Sequence, residues 1–449
     1  MFVNENKNFS IEYNTCLSGF LGETKHYVAS IDGKIKTTRA ACPKCTRSWH
    51  INNGYHLVED SLIRGCGLTI KIAQFHCKKC DTYWSADRQI IDEVIQQYEA
   101  FVKGLLLGCA RAGLSFGKST KLVDDTVGKS YSHQYLYELY VTALEQVKQE
   151  KFTSASGVYY YDEQYLKVNG EETCRLVIKD RVTGKVIIDI QTPDAKKETI
   201  KQVMQIALDG LPVEVFIVDM KRQYPELIHE LFPNAKIQWC IFHLYKLIWK
   251  ELQDEFGKNP PLCQLYNVYT LFNTFFDHSL ELAKLKELLK KFETLKTKDA
   301  KSNKEIEQLL RKEFSKFVKE LKKQRKREHK KVPRKTLEES EKTFATIIEQ
   351  NNLYPKKLQK RINYVEENWN KFTLFQRDTR VEPTNNGVEQ YFAATLEKTD
   401  KKDFRSKAAV TRELTAAQAE WNGQKLFSTV KLTEVLSLVG MLFLAFPPH

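Results

Sequence analysis

The spacing of apolar and polar positions changes along the chain, and each change marks a different kind of structure. Residues 1–95 hold short alternating stretches such as "GLTIKIAQFHC", which predict strands. From 96 to 150 the apolar residues recur at helical spacing, in "DEVIQQYEAFVKGLLLGCARAG", "FGKSTKLVDDTVG" and "SHQYLYELYVTALEQVKQ". Two short helices, a turn near Gly128 and a third helix capped by Ser132 are what a helix-turn-helix requires.

Residues 151–256 return to strand spacing. "GVYYYDEQYLKVN", "CRLVIKD" and "KVIIDIQ" predict three strands joined by turns at Asn169-Gly170 and Thr183-Gly184, hence an antiparallel meander. Lys196 to Leu208 predicts a helix. Val213 to Val218 is short, rich in β-branched residues and interrupted only by Glu214, as in a strand covered on both faces with a parallel neighbour. A helix from Tyr224 to Leu231, a turn at Pro233-Asn234, a strand from Lys236 to Trp239 and another helix follow. The order is βββαβαβα, an α/β core with a mixed sheet. Residues 257–380 show no strand pattern: Leu282, Leu285, Leu289 and Phe292, then Leu310, Phe314, Phe317 and Leu321, mark long amphipathic helices of an all-α insertion. Residues 381–449 are helical again, from "PTNNGVEQYF" onward, and complete the core with C-terminal helices.

At 449 residues the chain has room for two or three domains. Charge sharpens this picture: 70 Lys and Arg against 57 Asp and Glu give +13, which favours a polyanionic partner, nucleic acid first, although a membrane surface attracts such a charge as well. "MFVNENKNFSIEY" lacks a basic-then-apolar leader pattern, and no segment reaches the roughly 18 apolar residues of a span. "LTEVLSLVGMLFLAF" comes closest but holds Glu434 and reads as a buried helix. The expectation is a cytoplasmic protein without a membrane partner, nucleoid-associated in a prokaryote. There its ten cysteines are thiols or metal ligands rather than disulfides.

Cys42-Pro43-Lys44-Cys45 and Cys77-Lys78-Lys79-Cys80 are two Cys-x-x-Cys knuckles separated by 31 residues. Four thiolates presented in this way suit one tetrahedral Zn²⁺, and strand-rich sequence between them fits a zinc ribbon. Cys66, His50, His56 and His76 are further candidate ligands. The third helix of the 96–150 block presents Lys129, His133, Gln134 and Tyr137, types that read base edges or neutralise phosphate from a major groove. Residues 316–335 carry 11 Lys and Arg against Glu320 and Glu328, with Lys322, Lys323, Arg325, Lys326 and Arg327 densest, a run that can track a phosphate backbone.

Asp162 interrupts an aromatic strand in "YYYDEQYLK", and Asp219 stands where the Val213–Val218 strand leaves the sheet. A carboxylate in a buried strand costs several kcal/mol unless it is paired or binds a metal. Neighbouring strands of one sheet bring two such acids together, and Glu389 at the start of the last helical block is the third candidate. Three carboxylates can hold two Mg²⁺ or Mn²⁺ ions roughly 3.5–4 Å apart, one activating water or a 3′-hydroxyl and the other stabilising the leaving oxygen of a phosphodiester.

These residues carry a resemblance. The order βββαβαβα, with Asp162 in the first strand and Asp219 after the fourth, resembles the ribonuclease H-like fold. The whole chain resembles DDE transposases of insertion sequences, and more distantly Mutator and hAT elements. The features are "IVDMKRQY" with Asp219, "LFPNAKIQWCIFHLYK" with Cys240 and His243 in the family's Cys/Asp-x-x-His signature, a helical insertion, and "PTNNGVEQYF" with Glu389. The resemblance implies a metal-dependent DNA transposase. It would bind terminal inverted repeats through the zinc ribbon and helix-turn-helix, cleave the ends and join them to target DNA as a dimer or larger assembly. Two other readings stay open: a non-catalytic, domesticated DNA-binding protein keeping the amino-terminal modules, and a structure-selective nuclease on the same fold.

Overall fold

A computed structural model describes residues 9–11, 27–29, 34–37, 41–47, 51–60, 62, 70–86, 89–148, 150–396 and 404–427, with 430, 431, 433, 434 and 437. His50, Cys66 and nearly all of the apolar stretch after Glu434 lie outside these residues. The chain divides into two compact units, Met1–Val147 with Lys425–His449, and Lys148–Gln424. The segment beyond Lys425 therefore groups with the amino-terminal unit, whereas the sequence reading kept all of 381–449 with the core.

The first unit holds strands β1 (Phe9–Ile11), β2 (Tyr27–Ala29), β3 (Lys34–Thr37), β4 (Ile51–Leu57), β5 (Lys71–Cys77) and β6 (Thr82–Ser85), paired as β1-β2-β3-β5-β4 with β6 on β5. Helices α1 (Gln89–Arg111), α2 (Phe116–Val127) and α3 (His133–Glu145) follow. The first of these spans 23 residues, not the short helix expected, because Ile91, Val94, Tyr98, Val102 and Leu106 keep one unbroken apolar stripe on Ile70, Ile72 and Phe75. The α2–α3 joint forms as its residues dictate: Gly128 takes φ 65° as a left-handed C-cap, and the Ser132 hydroxyl accepts the Tyr135 N–H.

The second unit is built on β7 (Val158–Val168), β8 (Glu171–Asp180), β9 (Val186–Thr192), α4 (Lys197–Ala207), β10 (Val215–Val218), α5 (Gln223–Leu231), β11 (Lys236–Trp239) and α6 (Ile241–Phe256). The sheet order is β11-β10-β7-β8-β9, with β7–β9 antiparallel and β10 and β11 parallel to β7. Asn169 and Gly170, at φ 50° and 82°, make the β7–β8 turn. The ladder of β10 begins at Val215 rather than Val213, since the Gly157 carbonyl takes the N–H of both Glu214 and Val215.

Helices α7 (Leu262–Phe272), α8 (Ser279–Leu295), α9 (Ala300–Arg327), α10 (Leu337–Glu349), α11 (Lys356–Glu367) and α12 (Trp369–Arg377) fill 257–380. They share one core with the sheet: Phe372 packs edge-on to Trp239 at 5.2 Å, and the Phe375 N–H donates to Gln238 in β11. The unit ends in α13 (Asn386–Thr395) and α14 (Lys407–Trp421). Gln418 and Asn422 donate to carbonyls of edge strand β9, which blocks further strand pairing there.

Within the helical part, Arg325 of α9 donates at 2.9 Å to Glu281 of α8, and His278 lies 3.4 Å from the same carboxylate. Burial acts to raise the Glu281 pKa, but these two contacts outweigh it and bring it down to about 2. A carboxylate depressed in the folded state stabilises the fold above its unfolded pKa, and that contribution is lost as pH falls from about 4.5 to about 2. Its size is about 2–3 kcal/mol. Acid titration followed by circular dichroism should show Glu281→Gln with a flatter stability profile than the wild type across that window. Equal slopes would mean that Glu281 ionises in the folded protein as it does in water.

Candidate active site

β7 is buried through Tyr161 and then carries two acids in succession, Asp162 and Glu163. Successive strand residues face opposite sides of the sheet, so the two carboxylates enter different surroundings. Asp162 is 8% exposed and accepts the Glu163 N–H at 2.8 Å. The parallel register of β7 and β10 ends with Ile217 opposite Tyr160, and Asp219, two residues further on, lies close enough for its charge to act on Asp162. Burial, and after it the charge of Asp219, pushes the Asp162 carboxyl well above the usual carboxylate range.

Asp219 faces the start of α6, where Cys240 is the N-cap and His243 lies in the first turn. Ligand atoms of Asp219, Cys240 and His243 lie within 4.8 Å of one another. His243 Nδ1 approaches Asp219 Oδ1 to 2.8 Å, yet neither buried atom has an aligned hydrogen bond. Burial lowers the His243 pKa, but Asp219 and Cys240 outweigh it and bring the imidazole up to about 10. A carboxyl whose pKa burial and a neighbouring charge both raise, beside a carboxylate oxygen without a directed donor, is a pair that a divalent cation would satisfy. The oxygens of Asp162 and Asp219 suit a hard ion such as Mg²⁺ or Mn²⁺. Cys240 is turned to another use, its buried sulfur accepting the Asn385 N–H at 3.3 Å.

That bond is one of several that bring Glu389 to this corner. Pro383 accepts the Ile241 N–H at 2.9 Å, and Asn385 Nδ2 donates at 3.0 Å to the carbonyl of Tyr161, the residue before Asp162. Lys179 Nζ donates to the Gly387 carbonyl at 3.0 Å. A Cβ on Gly387 would lie 2.4 Å from the buried Tyr160 ring, so only glycine lets α13 approach β7 this closely. Glu389 then stands half-buried in the first turn of α13, although its carboxylate is not part of the Asp219–Cys240–His243 cluster. Nearby Glu382, a rival for the third acid, is held by Arg181 and Arg334. Farther along α13, Arg175 of β8 grips Asp189 at 2.8 and 2.5 Å and Thr395 at 2.9 Å, while Tyr391 donates to Asp189 at 2.5 Å.

Sequence reasoning passed over Glu163, Lys221, Asn385 and the Arg175–Asp189 pair. Each had a signal: a second acid beside Asp162, a lysine two residues after Asp219, an asparagine ahead of the last helix, and an arginine inside the apolar stretch "CRLVIKD". The Glu163 side chain is 0% exposed and accepts from Tyr161 at 2.9 Å, from Tyr224 at 2.5 and 2.6 Å, and from Lys221 at 2.6 Å.

In the amino-terminal unit Cys42, Cys45, Cys77 and Cys80 also meet, with Sγ–Sγ distances of 3.3 Å for Cys42–Cys80 and 3.6 Å for Cys45–Cys77. A tetrahedron with ~2.3 Å metal–sulfur bonds has edges of about 3.7 Å. The two knuckles bend alike: Thr46 and Asp81 adopt positive φ, and their N–H groups bond the Cys42 and Cys77 carbonyls. Burial acts to raise the Cys42 thiol, but the N–H groups of Cys45 and Lys44 outweigh it and bring it down to about 6. The backbone N–H of Arg47 acts to lower Cys45, which burial and its sulfur neighbours nevertheless push up to about 11. Thiols this close cannot all ionise without a cation, and a sulfur-only set suits zinc. His56 and His76 are outside the cluster, His76 lying 2.6 Å from Asp81.

Two cations assigned to nucleic acid have other partners. Lys129 in the α2–α3 turn is paired with Glu99 of α1 at 2.5 Å, and Arg325 of α9 with Glu281 of α8. His133, Gln134, Tyr137, Lys322, Lys323, Lys326 and Arg327 are exposed. Among the described residues no helix is long and apolar enough to cross a membrane.

Comparison with known proteins matches residues 162–255 to an ISL3-type family model described as Transposase, and residues 269–393 to the Transposase IS66 family. The first match starts at Asp162 and takes in Asp219, Cys240 and His243, while the second takes in the helical part and Glu389. The insertion element ISM1 uncharacterized 48.3 kDa protein of Methanobrevibacter smithii is 26% identical over 254 residues, which is 56% of this chain and 60% of that relative. A chain of the cryo-EM structure of a simian T-cell lymphotropic virus intasome in complex with PP2A regulatory subunit B56 gamma matches 32% of this chain and 60% of its own. Its identity is 10% and its TM-score 0.17, too low to bear on the fold. The two family models describe transposases and the relative is an insertion-element protein; together they support an insertion-sequence transposase.

Proposed function

We propose that this chain is a DNA transposase that cleaves the ends of its element and joins them to target DNA, using a ribonuclease H-like core in which Asp162, Asp219 and Glu389 hold Mg²⁺ or Mn²⁺. The observation that carries the reading is the convergence of three chain segments: Asp162 in β7, Asp219 just past the end of the parallel strand β10, and the Glu389 helix tied beside β7 through Asn385 and Gly387. Asp162, Asp219 and Glu389 would hold a pair of divalent ions, whose chemistry would be to lower the pKa of the attacking water or 3′-hydroxyl and to offset charge on the leaving oxygen. Asp162 and Asp219 supply the negative charge that fixes such ions. His243 stands 2.8 Å from the Asp219 carboxylate, and Cys240 sets the position of α13 through Asn385.

The α2–α3 joint supplies sequence reading through His133, Gln134 and Tyr137, and Lys322, Lys323, Lys326 and Arg327 track the phosphate backbone. Handling two ends calls for a dimer or larger assembly. The test is incubation of the protein and Mg²⁺ with labelled duplex from the DNA flanking its reading frame. Cleavage followed by joining supports transposition, cleavage without joining supports a nuclease on the same fold, and metal-independent binding alone supports a regulator.

The cysteine cluster is assigned one structural Zn²⁺. Elemental analysis should return about one zinc per chain, and Cys42→Ser with Cys77→Ser should remove it and unfold the amino-terminal unit, because the site is made only on folding. Zinc retained by that double variant would place the metal elsewhere.

A further inference from the structure

Asp162 and Glu163 lie side by side in β7 and Asp219 follows the end of β10, three acids close together in a protein whose overall charge is +13. One of them is spent on a lysine. Glu163 is wholly buried on the sheet face opposite Asp162, and its carboxylate is saturated by Tyr161, Tyr224 and Lys221. Lys221 lies two residues beyond Asp219 on the loop between β10 and α5, and its side chain is 40% exposed. A pair serving only the core would be buried at both ends. Here the acid is buried and the ammonium stands at the rim. Glu163 takes one N–H of three, leaving donors for a ligand oxygen.

We propose that Lys221 is a phosphate-binding cation of the candidate site, contacting a backbone phosphate of the nucleic acid, with Glu163 as the buried residue that positions it. The inference rests on the reading of this site as acting on a nucleic-acid backbone. An approaching polyanion meets the carboxylates of Asp162 and Asp219, and an ammonium fixed two residues beyond Asp219, within electrostatic reach of Asp162, offsets part of that repulsion. The rigid support matters, since a lysine stem held by a buried acid and lying 5.6 Å from the Tyr224 ring centroid gives up little further freedom on binding.

The test uses the full chain, the labelled flanking duplex, Ca²⁺ for binding over a salt series and Mg²⁺ for cleavage. Lys221→Met should lower the slope of log affinity against log salt by about one unit and slow cleavage by about 10²-fold, and Lys221→Arg should restore most of both. The double variant Lys221→Met with Glu163→Gln removes both charges and leaves Tyr161 and Tyr224 a neutral acceptor, which keeps the fold. Continued loss of slope and cleavage in the double variant supports phosphate contact. Recovery to wild-type values shows that the pair is only structural and overturns the proposal. If the wild type binds without cutting, the proposed reaction fails, and the salt slope of the same variants still decides the role of Lys221.

Discussion

Asp219→Asn, Asp162→Asn and Glu389→Gln should each reduce metal-dependent cleavage of end DNA to near the background of the reaction, a loss on the order of 10⁴-fold or more. The three acids act as one unit, so pairs of substitutions should cost little beyond the worst single one. Asp219→Asn removes charge from a position that His243 and Asp162 both address. Asp162→Asn removes the buried carboxyl that faces the charge of Asp219. DNA binding in Ca²⁺ should persist in all three, because that ion favours oxygen ligands but is less strict in geometry than Mg²⁺. Gel-based cleavage and fluorescence anisotropy on the same preparations separate the two properties. Full cleavage by Asp219→Asn would falsify the assignment. So would a dead Glu382→Gln beside an active Glu389→Gln, since Glu382 is engaged by Arg181 and Arg334.

Arg175→Met should destabilise the 148–424 unit by about 3–5 kcal/mol, because it strands the Asp189 carboxylate in a core where both side chains are fully buried. The double variant Arg175→Met with Asp189→Leu should regain much of that loss, as two apolar groups can replace a buried ion pair at little net cost. Denaturant unfolding reads both values. The same variants bear on the site, since Tyr391 and Thr395 of α13, two and six residues beyond Glu389, are held by this pair. Arg175→Met should therefore lose more cleavage than its residual stability accounts for. Destabilisation by less than about 1 kcal/mol would mean that water reaches the pair.

How far the sequence disclosed this arrangement differs by element. The βββαβαβα order was legible, because "VYYYDEQYLKV", "CRLVIKD" and "VIIDIQ" have the composition of buried strands and Asn169-Gly170 is a strong turn signal. Asp162 and Asp219 stood out as acids where apolar strands run into the interior. That neighbouring strands would bring them together was expected, but the register was not legible: it depends on β10 pairing in parallel with β7 across some 50 intervening residues, which local spacing does not encode. The helical stretch of α1 was quoted whole in "DEVIQQYEAFVKGLLLGCARAG", but the helix starts at Gln89, ahead of the boundary drawn at residue 96. Lys129 and Arg325 looked like nucleic-acid contacts, since a sequence shows charge but not that Glu99 and Glu281 lie opposite. Asn385 and Gly387 were present in "PTNNGVEQYF", yet their purpose appears only when Tyr160, Tyr161 and Cys240 stand against them.

The central claim is that Asp162, Asp219 and Glu389 form a hard-metal centre, and crystals of the full chain grown with Mn²⁺ and measured at the manganese edge test it most directly. Anomalous density should lie between the Asp162 and Asp219 carboxylates, at roughly 2.0–2.3 Å from their oxygens, with Glu389 completing the site, and should vanish in Asp219→Asn. Density confined to Cys240 and His243, or none at saturating Mn²⁺, would contradict it.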